Sequence, residues 1–413
     1  MAERQFEKIA INTFANIVSF FIPRSPKRVT CGGWSGTRFC DNSKAMYLFL
    51  CENKETLGLG RVTWFTRDKV LLSQLRRDGY DAELIGTLPA FRKCARAKYQ
   101  FVDVCGGDTE RFFSQKAVRV NLWHGMPFKR FGYLCDFASG DIAGAVKANM
   151  SHRELGNWNY FYSLTMSENI GKINMQAFGI NEKHCVKGPY PRIAYLKGEI
   201  GHYLLDSEKQ TATKLERLRK SGKRVVAYLP TFRDSKEINA VTVKTVDTLL
   251  RWAQENNCCI LTKMHAASSE RLCGEHELLV NIPSEGDVYN FLGEADVLIS
   301  DYSSVPFDFM PLGRPLIYYC FDYEYYKNSD RGFMMDFEKN TPGDVVFDES
   351  ALLESVKNAV DSAEEYISRH SKKMQAVLDF ITCDETKELS AAQVQDFWQR
   401  IARKKKTEKL ERI

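Results

Sequence analysis

Strand-like apolar runs alternate with helical segments along most of this chain, and that alternation constrains the fold more than any other feature. In the first half, strands are predicted at residues 29–31, 61–66, 82–85, 101–105 and 117–122. Helices are predicted at residues 42–51, 69–80 and 90–98, with Asn42 or Ser43 as the N-cap of the first. Because helices between successive strands allow parallel pairing, the pattern predicts a parallel sheet with helices on both faces.

The same alternation restarts after a break near residues 198–207. Here strands are predicted at residues 224–229, 259–263, 278–282, 297–300 and 315–319. Further helices are predicted at residues 169–178, 207–221, 243–255 and 287–294, and residues 352–406 are largely helical. Residues 137–157 are glycine-rich without periodicity, which predicts a loop or lid. Two successive α/β units predict two Rossmann-like domains within the 413 residues.

The basic character of the chain belongs to its last residues. The net charge is +5, and residues 400–413 carry seven Lys or Arg against two Glu, so the remainder is neutral overall. Such a tail suits an anionic surface such as phospholipid or nucleic acid. A solvated helix end, where cations are favourable, explains it equally well.

The N-terminal residues predict an amphipathic helix. Apolar side chains recur at helical spacing over residues 6–21, and Arg24, Lys27 and Arg28 follow. This composition is typical of a helix lying on a membrane surface, and also of a helix docked on the protein's own core. No segment reaches the roughly 20 apolar residues that span a bilayer, and no signal peptide is recognised.

The cysteines indicate a reducing compartment. Twelve cysteines are scattered without metal-type spacing, which predicts reduced thiols in a cytosolic protein. Cys258 and Cys259 lie in an apolar run and are predicted to be buried.

Polar side chains follow several predicted strands, at the end of a parallel sheet where ligands bind. These candidate residues are His124, Thr231, Arg233, Lys263, His265, Asp301, Ser303, Ser304 and, further along the chain, Arg331. A set of this kind is more specific than any one of its members.

His124 follows a predicted strand in the stretch "LWHGMPFKRFG". A histidine titrates near neutral pH and suits general-base catalysis, and Gly125 allows the backbone a close approach. A core histidine bonded to the backbone is the alternative. Lys129 and Arg130 either guide an anionic acceptor or headgroup, or solvate a loop.

The residues of the second half have similar alternatives. Ser303 and Ser304 either bind a phosphate at a helix N-terminus or cap that helix. Lys263 and His265 leave a strand on one face, as a clamp on a diphosphate or as a solvent-facing pair. Arg233 is a phosphate ligand or a partner of Asp234, and Arg331 has the same ambiguity.

Several common chemistries lack their motifs. The chain contains no GxxxxGK[ST] loop, no GxSxG elbow and no HExxH pair, and no GxGxxG follows the first strand. A dinucleotide-dependent redox enzyme is therefore not expected.

The chain resembles the glycerophosphotransferases that use CDP-glycerol, which make teichoic acids and related capsule polymers. The matching stretches, between about residues 30 and 346, are FCDNSKAMYLFL, LWHGMPFKRFG, WNYFYS, YPR, YLPTFRD, TKMH, ADVLISDYSSVPFDFMPLGRPLIYY, DYEYY and RGFMMDFEKNTPGDVV. The resemblance implies an α/β, GT-B-like fold: two Rossmann-like domains with a cleft between them, plus helical termini. The expected divisions are an N-terminal helix (1–28), an acceptor domain (29–200), a CDP-donor domain (201–385) and a C-terminal helix with a basic tail (386–413).

The resemblance also implies residue roles. His124 matches the histidine expected to deprotonate the acceptor hydroxyl, and His265 matches a second catalytic histidine that contacts the donor diphosphate. The other residues implied at the donor diphosphate are Arg233, Lys263, Ser303, Ser304, Arg331, Thr231 and Asp301. Three departures mark this chain: Met126 replaces a common threonine, Ile193-Ala194 replaces a common Asn-Asp, and no proline follows His265.

The predicted activity is transfer of a polyol phosphate, glycerol phosphate first, from a CDP-polyol to an acceptor hydroxyl with release of CMP. No cofactor or metal is expected to be obligatory. The expected partners are a lipid-linked, oligosaccharide or polyol-phosphate acceptor and the inner face of the plasma membrane, with no nucleic acid and with a homo-oligomer left open. A nucleotide-sugar glycosyltransferase and a non-catalytic membrane scaffold are the alternatives.

Overall fold

The structure is a computed structural model that describes residues 17–19, 21–104, 107–110, 116–134, 161–231, 236–263, 276–329 and 333–408. The chain divides into two compact units. The first contains the described residues within Met1–His124, Phe137–Gly201 and Cys383–Ile413, and the second contains those within Gly125–Asp136 and His202–Thr382. The chain therefore leaves the first unit between His124 and Gly125, inside the stretch "LWHGMP".

The first unit is built on a seven-stranded parallel sheet. Its strands are β1 (Ser25–Gly32), β2 (Arg61–Thr66), β3 (Ala82–Leu84), β4 (Ala97–Val102), β5 (Val118–Asn121), β6 (Phe161–Thr165) and β7 (Cys185–Lys187). They are ordered β3-β2-β1-β4-β5-β6-β7. The order reverses between β1 and β4, and such a reversal opens a crevice at the carboxyl ends of the strands.

The second unit has a six-stranded parallel sheet. Its strands are β8 (Arg224–Tyr228), β9 (Cys258–Thr262), β10 (Leu279–Asn281), β11 (Val297–Ser300), β12 (Leu316–Tyr319) and β13 (Asp344–Val346). The order β10-β9-β8-β11-β12-β13 is that of a Rossmann sheet, with its reversal between β8 and β11. Two Rossmann-like units confirm the predicted GT-B-like fold class.

Helices connect these strands and end the chain. They are α1 (Asp41–Glu52), α2 (Lys69–Arg77), α3 (Leu88–Arg96), α4 (Glu168–Phe178), α5 (Pro191–Leu196), α6 (Asp206–Lys220), α7 (Lys236–Glu255), α8 (Val305–Phe309), α9 (Tyr323–Ser329), α10 (Phe337–Asn340), α11 (Glu349–Asp361), α12 (Ala363–Ile381) and α13 (Ala391–Glu408). Several begin at a side-chain cap: Asp68 accepts from the N–H groups of Val70 and Leu71 at the start of α2, and Ser167 accepts from Ile170 at the start of α4.

Helices cover both faces of a parallel sheet, so side chains on both faces of its strands are buried and mostly apolar. In β9, Cys258 and Cys259 are fully buried, as predicted. Burial raises the pKa of the Cys258 thiol to about 11 and that of Cys259 to about 12. Both thiols are therefore packing groups rather than nucleophiles.

Several predicted boundaries were wrong. Helix α1 begins at Asp41 after Cys40, so Asn42 and Ser43 lie inside the helix and do not cap it. Lys98 belongs to β4 rather than to the preceding helix. The helix predicted at 287–294 is two separate 3₁₀ turns, Val288–Asn290 and Leu292–Glu294.

The beginning of the described chain corrects one part of the sequence interpretation. Arg24 is not free for a membrane, because its guanidinium donates 2.8 Å to the carbonyl of Cys94, and burial lowers its pKa to about 10. Lys27 and Arg28 lie in β1. Ile17 and Phe21 are exposed, whereas residues 6–14 of the predicted helix and the predicted lid at 137–157 lie outside the described residues. Within the described ranges, no helix is long and apolar enough to cross a bilayer.

The last helix, α13, packs on the first unit. Phe397 and Trp398 are buried, and the Trp398 ring lies 5.0 Å from that of Tyr99 in β4. A Cβ placed on Gly188 would lie 2.5 Å from Cδ2 of Phe397, so a side chain at 188 would displace the helix. The first unit therefore requires residues from both ends of the chain.

Removing the Phe397 side chain is expected to destabilise the first unit. Phe397→Ala leaves a cavity under α13 and should lower its free energy of unfolding by about 3–5 kcal/mol. Phe380→Ala is the control, since Phe380 is 36% exposed on α12. Urea unfolding followed by tryptophan fluorescence measures both, and equal losses for the two variants would contradict this packing.

Candidate active site

In the first unit, the polar groups converge at the carboxyl ends of β1, β4 and β5. The turn Trp34–Gly36 follows β1, Asp103 follows β4, and His124 lies three residues beyond the end of β5. This is the edge of the sheet where the strand order reverses. The topology therefore brings His124 to the expected ligand-binding end.

His124 is half-buried between two indole rings. Its ring centroid lies 4.2 Å from that of Trp123 and 5.1 Å from that of Trp34. Its Nδ1 lies 3.5 Å from the carbonyl oxygen of Asp103, which favours the tautomer with the proton on Nδ1. Nε2 then keeps the lone pair that a general base needs.

The backbone around His124 is strained. Trp34, Ser35, Asp41 and Trp123 adopt positive φ angles of 49°, 55°, 62° and 59°. Each such conformation costs roughly 1–2 kcal/mol for a residue with a side chain, so the surrounding contacts must enforce it. Strained backbone of this kind clusters at active sites and ligand-binding sites.

Hydrogen bonds from the start of α1 enforce this conformation. Asn42 Nδ2 donates to the carbonyl of Trp123 at 2.8 Å, and its Oδ1 accepts from the N–H of Arg192 at 3.2 Å. Asp41 accepts from Trp34 Nε1 at 2.7 Å and from the Arg192 guanidinium at 3.1 Å. These bonds fix both indoles that flank His124.

The buried carboxyls of Asp103 and Asp108 also hold the segments around His124. Asp103 accepts from the N–H of Ser43 at 2.9 Å and from the Ser43 hydroxyl, and Asp108 accepts from the N–H of Ser35 at 2.6 Å. Burial, and then the nearby Asp41 and Asp108, raise the pKa of Asp103 well above its usual range. The Asp103 carboxyl is therefore held toward its neutral form.

In the second unit, Thr231 and Asp301 meet where the strand order reverses between β8 and β11. Asp301 accepts from the N–H of Thr231 at 2.9 Å and from its hydroxyl at 2.6 Å. An anionic group would repel a diphosphate, and this carboxylate instead joins the loops after two neighbouring strands. Asp301 therefore holds these two loops together.

Ser303 and Ser304 follow β11 and are both half-buried. Ser303 Oγ accepts from the N–H of Val305 at 3.2 Å, as a cap would, whereas the Ser304 hydroxyl makes no cap bond to α8. A Cβ placed on Gly125 would lie 2.6 Å from Ser304 Oγ. The segment after His124 therefore approaches this serine closely because residue 125 is glycine.

Aromatic packing holds that segment on the second unit. The Phe128 ring lies 5.1 Å from Phe307 and 5.3 Å from Phe333, and its carbonyl accepts from the N–H of Met334 at 2.9 Å. Lys129 bridges to Phe333 by its backbone, and its ammonium lies 5.1 Å from the ring of Tyr326. Lys129 is thus engaged with an aromatic face, as cations often are.

Of the remaining predicted site residues, the structure describes only Lys263 and Arg130. Lys263 follows β9, is half-buried and donates to the carbonyl of Gly286. Arg130 is half-buried beside Lys129. Arg233, His265 and Arg331 lie outside the described residues.

The sequence interpretation did not place the residues that hold His124 in the site, and it gave Asn42 only the role of a candidate helix cap. Trp34 follows β1 in the stretch "GGWSG", Asp103 follows β4, and Asp41 and Asn42 open α1. All four lie just after the first and fourth strands. Examining those two strand ends as closely as the others would have identified them.

A family model for the CDP-glycerol:poly(glycerophosphate) glycerophosphotransferases matches residues 14–383 of the chain. A teichoic acid glycerol-phosphate transferase of Staphylococcus aureus is 27% identical over 345 residues, which are 80% of this chain and 84% of that protein. A teichoic acid poly(glycerol phosphate) polymerase of Bacillus spizizenii is 27% identical over 351 residues, 81% of this chain and 84% of the polymerase.

A solved structure of the wall teichoic acid polymerase TagF superimposes on the chain with a TM-score of 0.71 at 20% identity. The superposition covers 98% of this chain and 97% of the other. At that identity the likeness is one of fold, and it agrees with the two Rossmann-like units.

Neutralising Asp103 is expected to change the pH dependence of stability. A carboxyl whose pKa is raised by folding destabilises the folded state as pH rises above about 4, where the unfolded chain ionises. Asp103→Asn keeps an acceptor for the Ser43 N–H without the charge. Its stability relative to the unmodified protein should therefore increase from pH 5 to pH 8 in urea unfolding.

Asp103→Ala serves as the comparison. It leaves the buried N–H and hydroxyl of Ser43 without this acceptor, which should cost about 1–3 kcal/mol. If the Asp103→Asn difference stays constant between pH 5 and pH 8, the pKa of Asp103 is not raised by folding.

The close approach of Gly125 to Ser304 predicts a coupled pair. Gly125→Ala should lower stability by about 1–3 kcal/mol through overpacking. The same substitution should cost less in a Ser304→Ala background, because the atom it meets is absent. A double-mutant cycle on thermal unfolding measures this coupling, and additive effects would refute the contact.

Proposed function

The chain belongs to the CDP-glycerol:poly(glycerophosphate) glycerophosphotransferase family, and we propose that it transfers glycerol phosphate from CDP-glycerol to an acceptor hydroxyl. The family acts in the synthesis of teichoic acids, the setting of the relatives described above. The acceptor oxygen forms a bond to the phosphorus that carries the glycerol. The bond from that phosphorus to the bridging oxygen breaks, and CMP leaves.

The placement of His124 is the observation that carries this mechanism. The attacking hydroxyl must lose a proton, and Nε2 of His124 is its proposed acceptor. The tautomer favoured by the Asp103 carbonyl leaves that nitrogen unprotonated. The two indoles at 4.2 and 5.1 Å favour the imidazolium that forms when the proton arrives. General-base catalysis of this kind contributes roughly 10²–10⁴-fold in rate.

The second unit is the proposed binding site of the donor. Hydroxyls of Thr231, Ser303 and Ser304 lie at the carboxyl ends of β8 and β11, the usual ligand position in a Rossmann sheet. Lysine and arginine side chains supply the positive charge that phosphoryl transfer needs. We assign this role to Lys263, and to Arg233 and Arg331 from their match to the family. His265 is the proposed second histidine at the diphosphate.

Asp301 serves the donor site indirectly. Its bonds to the Thr231 N–H and hydroxyl hold the loop after β8 against the loop after β11. Because the Thr231 hydroxyl donates its only proton to Asp301, the Ser303 and Ser304 hydroxyls are the proposed donors to the diphosphate at this edge of the sheet. This arrangement supports diphosphate binding by hydroxyls and cations rather than by the carboxylate itself.

We propose glycerol as the polyol because both long-matching relatives are glycerol-phosphate enzymes. The same relatives motivate an anionic acceptor built of polyol phosphate. A lipid-linked acceptor at the inner face of the plasma membrane is part of the same proposal. The basic residues of the C-terminal tail and the exposed Ile17 and Phe21 support that location. Lys129 and Arg130 belong to the second unit, the proposed donor side, so their predicted acceptor-side role is not part of this proposal.

His124→Ala is expected to remove the chemical step while sparing donor binding. CMP release from CDP-glycerol with a glycerol-phosphate oligomer as acceptor should fall by about 10²–10⁴-fold. His202→Ala, at an exposed position, is the matched control and should keep full activity.

Two outcomes would refute the proposal at different levels. Full CMP release by His124→Ala would exclude this histidine as the base. Absence of CMP release by the unmodified protein with CDP-glycerol, CDP-ribitol and any polyol-phosphate or lipid-linked acceptor would reject the transferase activity itself.

A further inference from the structure

We propose that Arg38, held on the ring of Trp34, binds the phosphate of an anionic acceptor whose hydroxyl His124 deprotonates. The inference rests on the proposed function, in which His124 is the base. It adds a specificity residue: Arg38 selects acceptors that carry a phosphodiester close to the reacting hydroxyl.

Trp34 places a cation and the proposed base on one ring system. The guanidinium carbon of Arg38 lies 4.9 Å from the centroid of the Trp34 ring. The imidazole of His124 lies 5.1 Å from the same centroid. The guanidinium carbon of Arg38 and the ring centroid of His124 are therefore separated by no more than the sum of these two distances. Because both side chains contact the Trp34 indole, the Arg38 guanidinium lies close to the proposed base, His124.

Trp34 is itself rigidly held, so Arg38 rests on a defined platform. Its φ of 49° is maintained while its Nε1 donates 2.7 Å to Asp41. Asp41 is in turn bound by the buried Arg192. Arg38 is exposed at the surface of this platform. Stacking on an indole orients a guanidinium and leaves its N–H edge available for a ligand.

Among the described residues, no carboxyl forms an ion pair with Arg38, and the carboxyls nearby have other partners. Asp41 and Asp108 accept hydrogen bonds from Trp34, Arg192 and Ser35. The raised pKa of Asp103 holds that carboxyl toward its neutral form.

A second guanidinium lies on the same turn. Arg67, also exposed, donates from Nε to the carbonyl of Ser35 at 3.1 Å. The two side chains contribute positive potential to the surface beside His124, where Glu110 opposes Arg67 and burial raises the pKa of that carboxyl. A neutral sugar gains nothing from this potential, whereas a phosphodiester does.

The spacing suits one polyol phosphate unit. In a glycerol phosphate chain, three carbons separate the terminal hydroxyl from the nearest phosphate. The two contacts with Trp34 set an upper limit on the separation of His124 and Arg38, and an extended unit with a hydrogen bond of about 2.8 Å at each end reaches that limit. Guanidinium groups bind phosphate by paired, charge-assisted hydrogen bonds, which lysine cannot reproduce.

The test compares anionic and neutral acceptors. Arg38→Ala should raise the KM for a glycerol-phosphate oligomer roughly tenfold to a hundredfold, the loss of a charge-assisted contact. The KM for CDP-glycerol and the rate of CMP release with free glycerol should not change. Arg38→Lys should restore part of the oligomer affinity. Arg92→Glu is the control, because Arg92 is exposed on α3 of the same unit and should leave every parameter unchanged.

A binding measurement separates this inference from the proposed function. Equilibrium binding of the same oligomer, followed by tryptophan fluorescence, requires no turnover. Tight binding that Arg38→Ala weakens would support the inference even if no CMP is released. Equal oligomer affinity in the two proteins would overturn it, whatever the activity.

Vesicles distinguish a soluble acceptor from a lipid headgroup. Sedimentation with phosphatidylglycerol vesicles should be the same for Arg38→Ala and the unmodified protein. If the variant loses vesicle binding and keeps the oligomer KM, Arg38 binds a lipid headgroup and the inference fails. An equal rise in KM for free glycerol and for the oligomer would also overturn it, since charge would not be what is recognised.

Discussion

The hydrogen bonds from the first turn of α1 are the constraint on which the first unit's site depends. Asn42 binds the backbone beyond β5, and Ser43 binds the carboxyl beyond β4. The helix that follows β1 thereby joins the carboxyl ends of three strands. The positive φ angles of Trp34 and Trp123 persist because these bonds hold them. This network holds the backbone and the indoles that flank His124, and the Asp103 carbonyl lies 3.5 Å from its Nδ1.

In the second unit, a single carboxylate joins the loops at the carboxyl ends of neighbouring strands. Asp301 joins the loops after β8 and β11 through Thr231, at the corresponding reversal of strand order. In both units, acidic side chains act on neighbouring protein groups. The cations and hydroxyls that remain are the groups suited to phosphate chemistry.

The strand–helix alternation was sufficient to predict the fold class, because apolar runs of strand length with polar ends have few other solutions. It located β11 and the burial of Cys258 and Cys259, and it placed His124 beyond a strand. The alternation did not reveal that Asn42 and Ser43 bind other loops instead of capping a helix. Their hydrogen-bond partners, Trp123 and Asp103, are some 60 to 80 residues distant in sequence. Nor does any local pattern show that Gly125–Asp136 belongs with the second unit, because aromatic contacts of Phe128 decide this.

We propose that the α1 network positions His124 for proton abstraction. The most direct measurement is single-turnover CMP release by Asn42→Ala, with CDP-glycerol affinity determined on the same sample. We expect an unchanged donor affinity and a chemical step slowed at least tenfold. A chemical step as fast as that of the unmodified protein would contradict it.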